Sequence, residues 1–337
     1  MADKAHELTD QKIAKMQRHI ASIYTNAQKD VTAEMQDYAR SIKSRADKLL
    51  ADIDNAETEQ QKQAAESAYK NFYAVTVKQD RAFQKTSQNA AERLYQANTE
   101  AADYINEQTA GIYVLNYNAI GNGLAKDLDG YDFKPVSEYE AETYGDITQQ
   151  TIDKAKDKKW NTKNIMTAVI AGAMVLNTAE KIFKNTAKSV TRKNRESSDR
   201  QASDSMTDAE TLGRLDSMYR ASDEGFDVKK DWIATLDNRT RDTHRMYDGF
   251  DPVPLDYEYN VGLKKPRDPN CPIMAEVCNC RCTLVSVVNN RHLSNTRAAR
   301  DNDVTDSYKK PSSFVGTHTV TVPNMTYREW QIWRRSQ

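Results

Sequence analysis

The sequence predicts a mainly α protein, in which a long N-terminal helical hairpin or bundle precedes a small α+β, cysteine-containing C-terminal module. Two observations lead to this fold class. The first glycine is Gly111 and the first proline is Pro135, so no strong helix breaker interrupts the N-terminal third. In contrast, every cysteine lies between Cys271 and Cys282, where short β-type runs and turn residues replace the helical pattern.

The composition is that of a solvated helical protein without an overall charge preference. The 337 residues include 48 Lys and Arg against 49 Asp and Glu, for a formal charge of −1, and 38% are hydrophobic. Overall charge therefore indicates neither a nucleic-acid nor a membrane partner, and the length suggests about two domains. The N-terminus lacks the apolar segment of a signal peptide, and clustered cysteines do not resemble a secreted disulfide framework. We therefore expect synthesis in a reducing cytoplasm.

Residues 1–110 are predicted to form long amphipathic helices. Apolar residues recur at steps of three and four positions, which places them on one face of a helix. The members of this stripe are Ile13, Met16, Ile20, Ile23, Ala27, Val31, Met35, Tyr38, Ile42, Leu49 and Ile53. Two interpretations stay open: an antiparallel hairpin or bundle within one chain, or an intermolecular coiled coil that would make the protein a homo-oligomer.

The amino-acid composition changes twice in the middle of the chain. Residues 111–150, which contain several glycines and tyrosines, are predicted to be connecting structure, and residues 151–225 are predicted to be helical again. The apolar run 165–176 has about half the roughly 20 residues needed to span a bilayer, so it predicts a buried core helix. The Ser-, Asp- and Gln-rich stretch 196–210 predicts a loop or frayed helix before a short helix at 209–222.

A basic stretch follows the apolar run. Its candidate DNA-binding residues are Lys181, Lys184, Lys188, Arg192, Lys193 and Arg195. Clustered cations attract phosphate groups regardless of nucleotide sequence, so this stretch is a candidate surface for nucleic acid or an acidic partner. A solvated helix face explains the same pattern, and both interpretations stay open.

Residues 226–290 are predicted to form the α+β module, followed by an extended tail with a short terminal helix over 291–337. The pair Asp248-Gly249 predicts a hairpin-type turn, and the β-branched run from Cys280 to Val288 predicts a strand. Trp232 is expected to anchor the module on the preceding helix. The charged residues Asp237, Arg239 and Arg241 are expected to stabilise the module by charge-assisted hydrogen bonds.

The module also contains soft metal ligands. The candidates for zinc are His244, Cys271, Cys278, Cys280 and Cys282. Their spacing is unfavourable if they lie in a strand, because a Cys-x-Cys pair then separates its two side chains by nearly 7 Å. A turn at Asn279 would bring them closer, and Pro269 and Pro272 indicate that this region is not a regular strand. Free thiols packed as small hydrophobic groups are the alternative. A His244-and-metal nuclease is the competing enzymatic interpretation, but no Gly-rich phosphate loop, H-E-x-x-H motif or nucleophile elbow accompanies it, so no catalytic residue is assigned.

These residues, in this order, resemble the C-terminal module of phage minor head proteins of the Mu gpF-like, SPP1 head-morphogenesis family. The positions that carry the resemblance are Trp232, Ala234, Asp237, Arg239, Thr240, Arg241, His244, Gly249, Pro266, Asp268, Pro269, Asn279, Cys280, Arg281, Cys282 and Thr283. Residues 1–150 are similar to the family only in their helical character.

The resemblance implies a low-copy structural virion protein rather than an enzyme. It implies association with the portal or major capsid protein inside the head, contact with packaged DNA, and a role in head morphogenesis and genome packaging or delivery. Other branches of the family carry Cys-x-x-Cys where this chain has Arg241 and His244, in a zinc-like set. In this chain the resemblance therefore leaves Cys271 or Cys278 as the fourth metal ligand.

Overall fold

The computed structural model describes residues 4–79, 81–137, 179–289, 291–292, 296–301 and 318–336. These residues divide into two compact units. The first draws on Met1–Arg18, Asp103–Thr151 and Asp199–Gln337, and the second on His19–Ala102 and Ile152–Ser198. The predicted apolar run 165–176 lies outside the described residues. None of the helices within the described ranges is long and apolar enough to cross a membrane.

Long helices dominate the N-terminal part of the chain, as the sequence predicts. They are α1 (Lys4–Asp54), α2 (Glu59–Gln79), α3 (Arg81–Asp127) and α4 (Ala179–Asp223). The predicted stripe in α1 is buried from Met16 to Ile42, whereas Ile13, Leu49 and Ile53 are partly exposed. The mainly α fold class is therefore confirmed, and the apolar stripe explains why α1 packs along its length.

Contacts within the second unit join three helices of the same chain. The Tyr24 hydroxyl of α1 donates to Asn98 Oδ1 of α3 at 2.6 Å and lies 2.7 Å from Ser198 Oγ of α4. The Thr191 hydroxyl of α4 donates to Gln28 Oε1 of α1 at 3.2 Å. These polar contacts favour the bundle within one chain over the intermolecular coiled coil.

The predicted connecting structure after Gly111 is instead helical as far as Asp127, so this part of the prediction is wrong. The glycines permit close packing here. A side chain at Gly121 would lie 2.1 Å from the Phe133 ring, which packs back against α3 beside Tyr117. The segment after the helix is fastened by Asn118, whose Oδ1 accepts a hydrogen bond from Val136 N at 2.9 Å.

The stretch 196–210, predicted to be a loop or frayed helix before a separate short helix, is instead a continuous part of α4, so this prediction is wrong. Its small and apolar residues Ala202, Met206 and Ala209 are fully buried. Two of its acidic residues pair with basic side chains of the C-terminal module. Asp208 pairs with Lys265, and Arg267 Nη1 lies 2.5 Å from Asp204 Oδ1.

The C-terminal module is built on a small antiparallel sheet. Strands β1 (Val228–Ile233), β2 (Val253–Pro254), β3 (Thr283–Val288) and β4 (Arg291–His292) are arranged in the order β2-β1-β3-β4. Trp232 of β1 pairs with Leu284 of β3, and both are fully buried. Trp232 therefore anchors the sheet core, where its ring meets those of Tyr247 and Tyr259 edge-on.

Short helices and a second sheet complete the module. The helices α5 (Asp242–Tyr247) and α6 (Met274–Val277) flank a 3₁₀ turn at Asn260–Gly262. The described part of the tail forms an antiparallel pair, β5 (Thr296–Asp301) and β6 (His318–Pro323), followed by α7 (Tyr327–Arg335). The terminal helix is confirmed, and a capping box between Thr326 and Glu329 fixes its start.

Candidate functional site

Three of the predicted metal ligands come together in the core of the module. His244 is supplied by α5, and Cys280 and Cys282 precede β3. Both sulfurs lie 3.5 Å from His244 Nδ1, and the three ligand atoms all lie within 4.8 Å of one another. The relative exposures of the three residues are 1%, 2% and 3%, so the cluster is closed to solvent.

The backbone before β3 explains why the unfavourable spacing does not separate the two sulfurs. The predicted strand from Cys280 begins only at Thr283, so Cys280 and Cys282 are not alternate residues of a strand. Asn279 adopts a left-handed conformation with φ of 56°, and Cys280 N donates to Val277 O at 3.3 Å. The turn at Asn279, which the sequence leaves open beside the strand, therefore brings the two thiols together.

His244 is held from its other side by a carboxylate. Its Nε2 lies 3.1 Å from Glu276 Oε2 of α6, and the Thr243 hydroxyl donates to the same oxygen at 2.8 Å. The Trp232 ring packs edge-on against the imidazole with centroids 5.0 Å apart. The imidazole is thus fixed with Nδ1 toward the thiols and Nε2 toward Glu276.

The other two predicted ligands do not join this group. Cys271 is buried in the core of the module, and its thiol lies 3.7 Å from Ile273 O. Cys278 is partly exposed, and its carbonyl oxygen accepts a hydrogen bond from the Arg241 guanidinium. Arg241 thus binds the backbone beside the cluster and supplies no soft ligand.

The chemistry of the three donors fits zinc. Zinc–sulfur bonds of about 2.3 Å and zinc–nitrogen bonds of about 2.0–2.1 Å at tetrahedral angles give a sulfur–nitrogen separation of about 3.5 Å. This matches both sulfur–nitrogen distances in the cluster, each 3.5 Å. His244, Cys280 and Cys282 would hold the ion, which would supply a cross-link between α5 and the start of β3.

Burial and mutual contact make the two thiols unequal. Burial raises the pKa of Cys280, but contacts with Cys282 and His244 outweigh it and leave that pKa well below its usual value. Burial, and then the neighbouring Cys280, raise the pKa of Cys282 well above its usual value. In the metal-free chain, ionisation of one thiol therefore disfavours ionisation of the other.

Two buried carboxylates hold the module together around this cluster. Asp237 pairs with Arg281 and accepts a hydrogen bond from the backbone N of Arg239 at 2.9 Å. Asp248 accepts hydrogen bonds from Ala234 N at 2.7 Å and from the Arg297 guanidinium at 2.7 and 3.1 Å. The Asp237 part of the predicted charge-assisted network is present, whereas the side chain of Arg239 is exposed.

The predicted hairpin turn at Asp248-Gly249 is wrong. Asp248 is the C-terminal cap of α5, and its backbone N donates to His244 O at 3.3 Å. The pair therefore ends a helix instead of joining two strands. Because Asp248 lies at the end of α5, its carboxylate is within hydrogen-bond distance of Ala234 N and the Arg297 guanidinium.

The Pro- and Asp-containing loop before the cysteines is fastened to α4. Pro266 O accepts a hydrogen bond from the Thr211 hydroxyl at 2.9 Å. Asp268 folds the loop on itself by accepting hydrogen bonds from Lys264 N at 2.9 Å and Asn270 N at 3.0 Å. Pro266 and Asp268 therefore take part in the hydrogen bonds that hold this loop in place.

The basic stretch is only partly described. Lys188, Arg192 and Lys193 are exposed on α4, and Arg195 is half-buried. Arg192 Nε lies 3.9 Å from Glu196 Oε1. The side chains of Lys181 and Lys184 lie outside the described residues.

Sequence reasoning missed several residues that build the site. Glu276 and Arg297 lie outside any recognisable ligand or ion-pair spacing, and each partner is far away in sequence. Asp204 and Asp208 sit in a stretch whose composition predicted a loop. The one sequence signal for a helix here is the four-residue spacing of Asp204 and Asp208, which places both carboxylates on one face of α4.

The fold and site define a mainly helical protein with a compact α+β module whose buried centre is polar and sulfur-rich. Residues 162–285 match the family model described as Phage Mu protein F like protein. The resemblance to the Mu F-like family found in the sequence is confirmed over these residues.

One curated relative shares a short segment with this chain. The NAD(+)–arginine ADP-ribosyltransferase EFV of Enterococcus faecalis (strain ATCC 700802 / V583) is 38% identical over 69 residues, which are 20% of this chain and 14% of that protein. The chain therefore spans about one seventh of that relative's length. No solved structure matches this chain.

Proposed function

We propose that this protein is a structural minor head protein of a tailed phage that acts in head morphogenesis. The observation that carries the proposal is the Mu F-like match over residues 162–285. The proposed location is the virion, at the head interior or portal vertex, after synthesis in the host cytoplasm. The proposed partners are the portal protein, the major capsid protein, or both.

The construction of the module supports a structural role. His244, Cys280 and Cys282 are all buried, and aromatic rings cover the imidazole, so a scissile phosphate has no approach to these donors. Buried ion pairs such as Arg281–Asp237 fix the shape of the module. These features favour a rigid binding module over the metal-dependent nuclease.

An experiment separates the two classes directly. Purified protein is incubated with duplex and single-stranded DNA in the presence of Mg²⁺, Mn²⁺ or Zn²⁺, beside the His244→Ala variant. The structural proposal expects no cleavage by either protein. Metal-dependent cleavage that His244→Ala abolishes would overturn it.

The length of the helices supports the proposal that this protein binds the portal or major capsid protein. Helix α1 has 51 residues, which corresponds to about 77 Å at a rise of about 1.5 Å per residue. Such a helix presents a long solvated face for contact with other virion components. Support for packaging or delivery of the genome is proposed from the family match together with the basic stretch.

The basic stretch is proposed to contact packaged DNA through its exposed cations. Replacing Lys188, Arg192 and Lys193 with alanine is expected to weaken DNA binding and to flatten its salt dependence. Each lost phosphate contact lowers the slope of log affinity against log salt by about 0.9, so the slope should fall by up to about 3. Fluorescence anisotropy with a short duplex over a range of NaCl concentrations measures both quantities.

The matched control replaces Lys48, Lys62 and Lys70, which are also exposed, and changes the net charge by the same amount. This control is expected to leave the slope nearly unchanged. A salt-independent affinity in the unmodified protein, or an equal loss from both triple variants, would remove the DNA proposal.

A further inference from the structure

We propose that His244, Cys280 and Cys282 bind a single zinc ion, with His244 as an Nδ1 ligand that Glu276 orients through the other ring nitrogen. The proposal rests on the geometry of these four side chains and is independent of the proposed function. It assigns a structural metal site with three protein ligands and one positioning residue.

The donor set suits zinc in identity, distance and charge. Two thiolates and one imidazole are soft or borderline ligands that zinc prefers. The 3.5 Å separations of both sulfurs from Nδ1 equal the spacing of two ligands on one tetrahedral ion. The two thiolate charges neutralise Zn²⁺, so a buried metal site carries no net charge among its direct ligands.

Glu276 acts on the ligand and is not itself a ligand. It approaches Nε2, at 3.1 Å, whereas the sulfurs approach Nδ1 of the same ring. Nε2 makes no hydrogen bond in this structure, so Glu276 acts through its charge. A carboxylate this close favours the tautomer with the proton on Nε2, which leaves Nδ1 free for metal and makes the imidazole a better donor. The Thr243 hydroxyl holds the carboxylate in place at 2.8 Å.

This set differs from the one that the sequence and the family resemblance suggested. Cys271 and Cys278 were expected to provide a fourth ligand, but neither belongs to the described cluster. Among the described residues three protein ligands meet, so one tetrahedral position stays for a donor that these ranges do not supply.

Zinc content tests the ligand assignment. The full-length protein, purified under reducing conditions and dialysed against zinc, should contain about one equivalent by elemental analysis. The Cys280→Ser, Cys282→Ser and His244→Ala variants should lose it. The matched controls Cys271→Ser and Cys278→Ser should retain it, and loss of zinc from either control at wild-type helicity would overturn the assignment.

Cobalt substitution of the unmodified chain keeps the test independent of variant folding. Co²⁺ bound by two thiolates gives a sulfur-to-metal charge-transfer band whose intensity is proportional to the number of thiolates. The band should correspond to two thiolates and disappear on addition of excess Zn²⁺. A folded chain without this band, or an intensity corresponding to three or four thiolates, contradicts the proposal.

The role of Glu276 has its own readout. Glu276→Ala should weaken zinc binding by about 10–100-fold in a competition titration with a chromophoric chelator. Glu276→Gln should restore part of the affinity, because its amide oxygen places a partial negative charge beside Nε2. If both variants bind zinc as tightly as the unmodified chain, Glu276 is not a positioning residue. If they only lower the melting temperature of the metal-free protein, its role is confined to packing.

Discussion

Replacing Asp248 with asparagine is expected to destabilise the C-terminal module by about 3–5 kcal/mol, because it leaves a buried guanidinium without its hydrogen-bonded counter-charge. The Asp248 side chain is fully buried, and that of Arg297 is 7% exposed. The same carboxylate accepts hydrogen bonds from Ala234 N at 2.7 Å and Tyr327 N at 2.5 Å. Asparagine keeps the shape but turns one acceptor into a donor that faces other donors.

The Asp248 carboxylate joins three parts of the module. Losing its hydrogen bonds should therefore detach the C-terminal segment locally as well as lower the free energy of unfolding. Asp248 ends α5, Arg297 belongs to β5, and Tyr327 begins α7. Urea denaturation gives the free energy of unfolding, and limited proteolysis should show earlier cleavage near the C-terminus. The control is Asp242→Asn, which removes an exposed i,i+3 pair with Arg245 and should cost at most about 1 kcal/mol. Equal stability of the two variants would contradict the account of Asp248.

The second large effect is expected at Gly213, where α4 meets α3. A side chain there would lie 2.4 Å from the carbonyl oxygen of Tyr113, a backbone atom that cannot turn away. Gly213→Ala should therefore destabilise by about 1–3 kcal/mol, although alanine in an exposed helix position stabilises by about 1 kcal/mol. Whether Gly213→Ala lowers or raises the free energy of unfolding is therefore the informative result.

Gly249→Ala is the matched control for this substitution. Its new side chain would meet only Met246 O at 3.7 Å, which is an ordinary contact. Thermal unfolding followed by circular dichroism at 222 nm compares the two variants. A stabilised Gly213→Ala protein would mean that α3 and α4 are not in backbone contact at this position.

The helices were predictable where local periodicity determines the outcome. The stripe that includes Ile20, Val31 and Met35 repeats at helical spacing, and these residues are buried in α1. Glycine, however, was read as a helix breaker at Gly111 and Gly121. In a long helix its propensity cost of about 1 kcal/mol is outweighed by packing, and at Gly121 only a hydrogen fits beside Phe133.

Polar residues were misleading where their partners are remote in sequence. Asp204 and Asp208 look like loop residues by composition. Each pairs with a basic side chain about 60 residues later in the chain: Asp204 with Arg267, and Asp208 with Lys265. Single-sequence patterns report neighbours along one element and cannot report such pairs. The same limit explains why Arg297, the partner of Asp248, was not predicted.

The candidate site was predicted in its residues but not in its geometry. Residue chemistry selected His244 and all four cysteines, and the sequence left open whether a strand separates Cys280 from Cys282 or a turn at Asn279 brings them together. One left-handed residue, Asn279, changes the direction of the chain and brings both sulfurs to the imidazole. A short polar side chain tolerates this conformation, but the sequence alone does not require it.

The most direct test of the central claim is the protein content of purified heads. Heads are isolated by gradient centrifugation from cells in which the phage encoding this chain is propagated, and each protein is quantified by mass spectrometry with labelled standard peptides. The account predicts that the chain co-purifies with heads at a fixed, low ratio to the portal protein. Heads that assemble and package DNA while the chain remains wholly in the soluble fraction would contradict it.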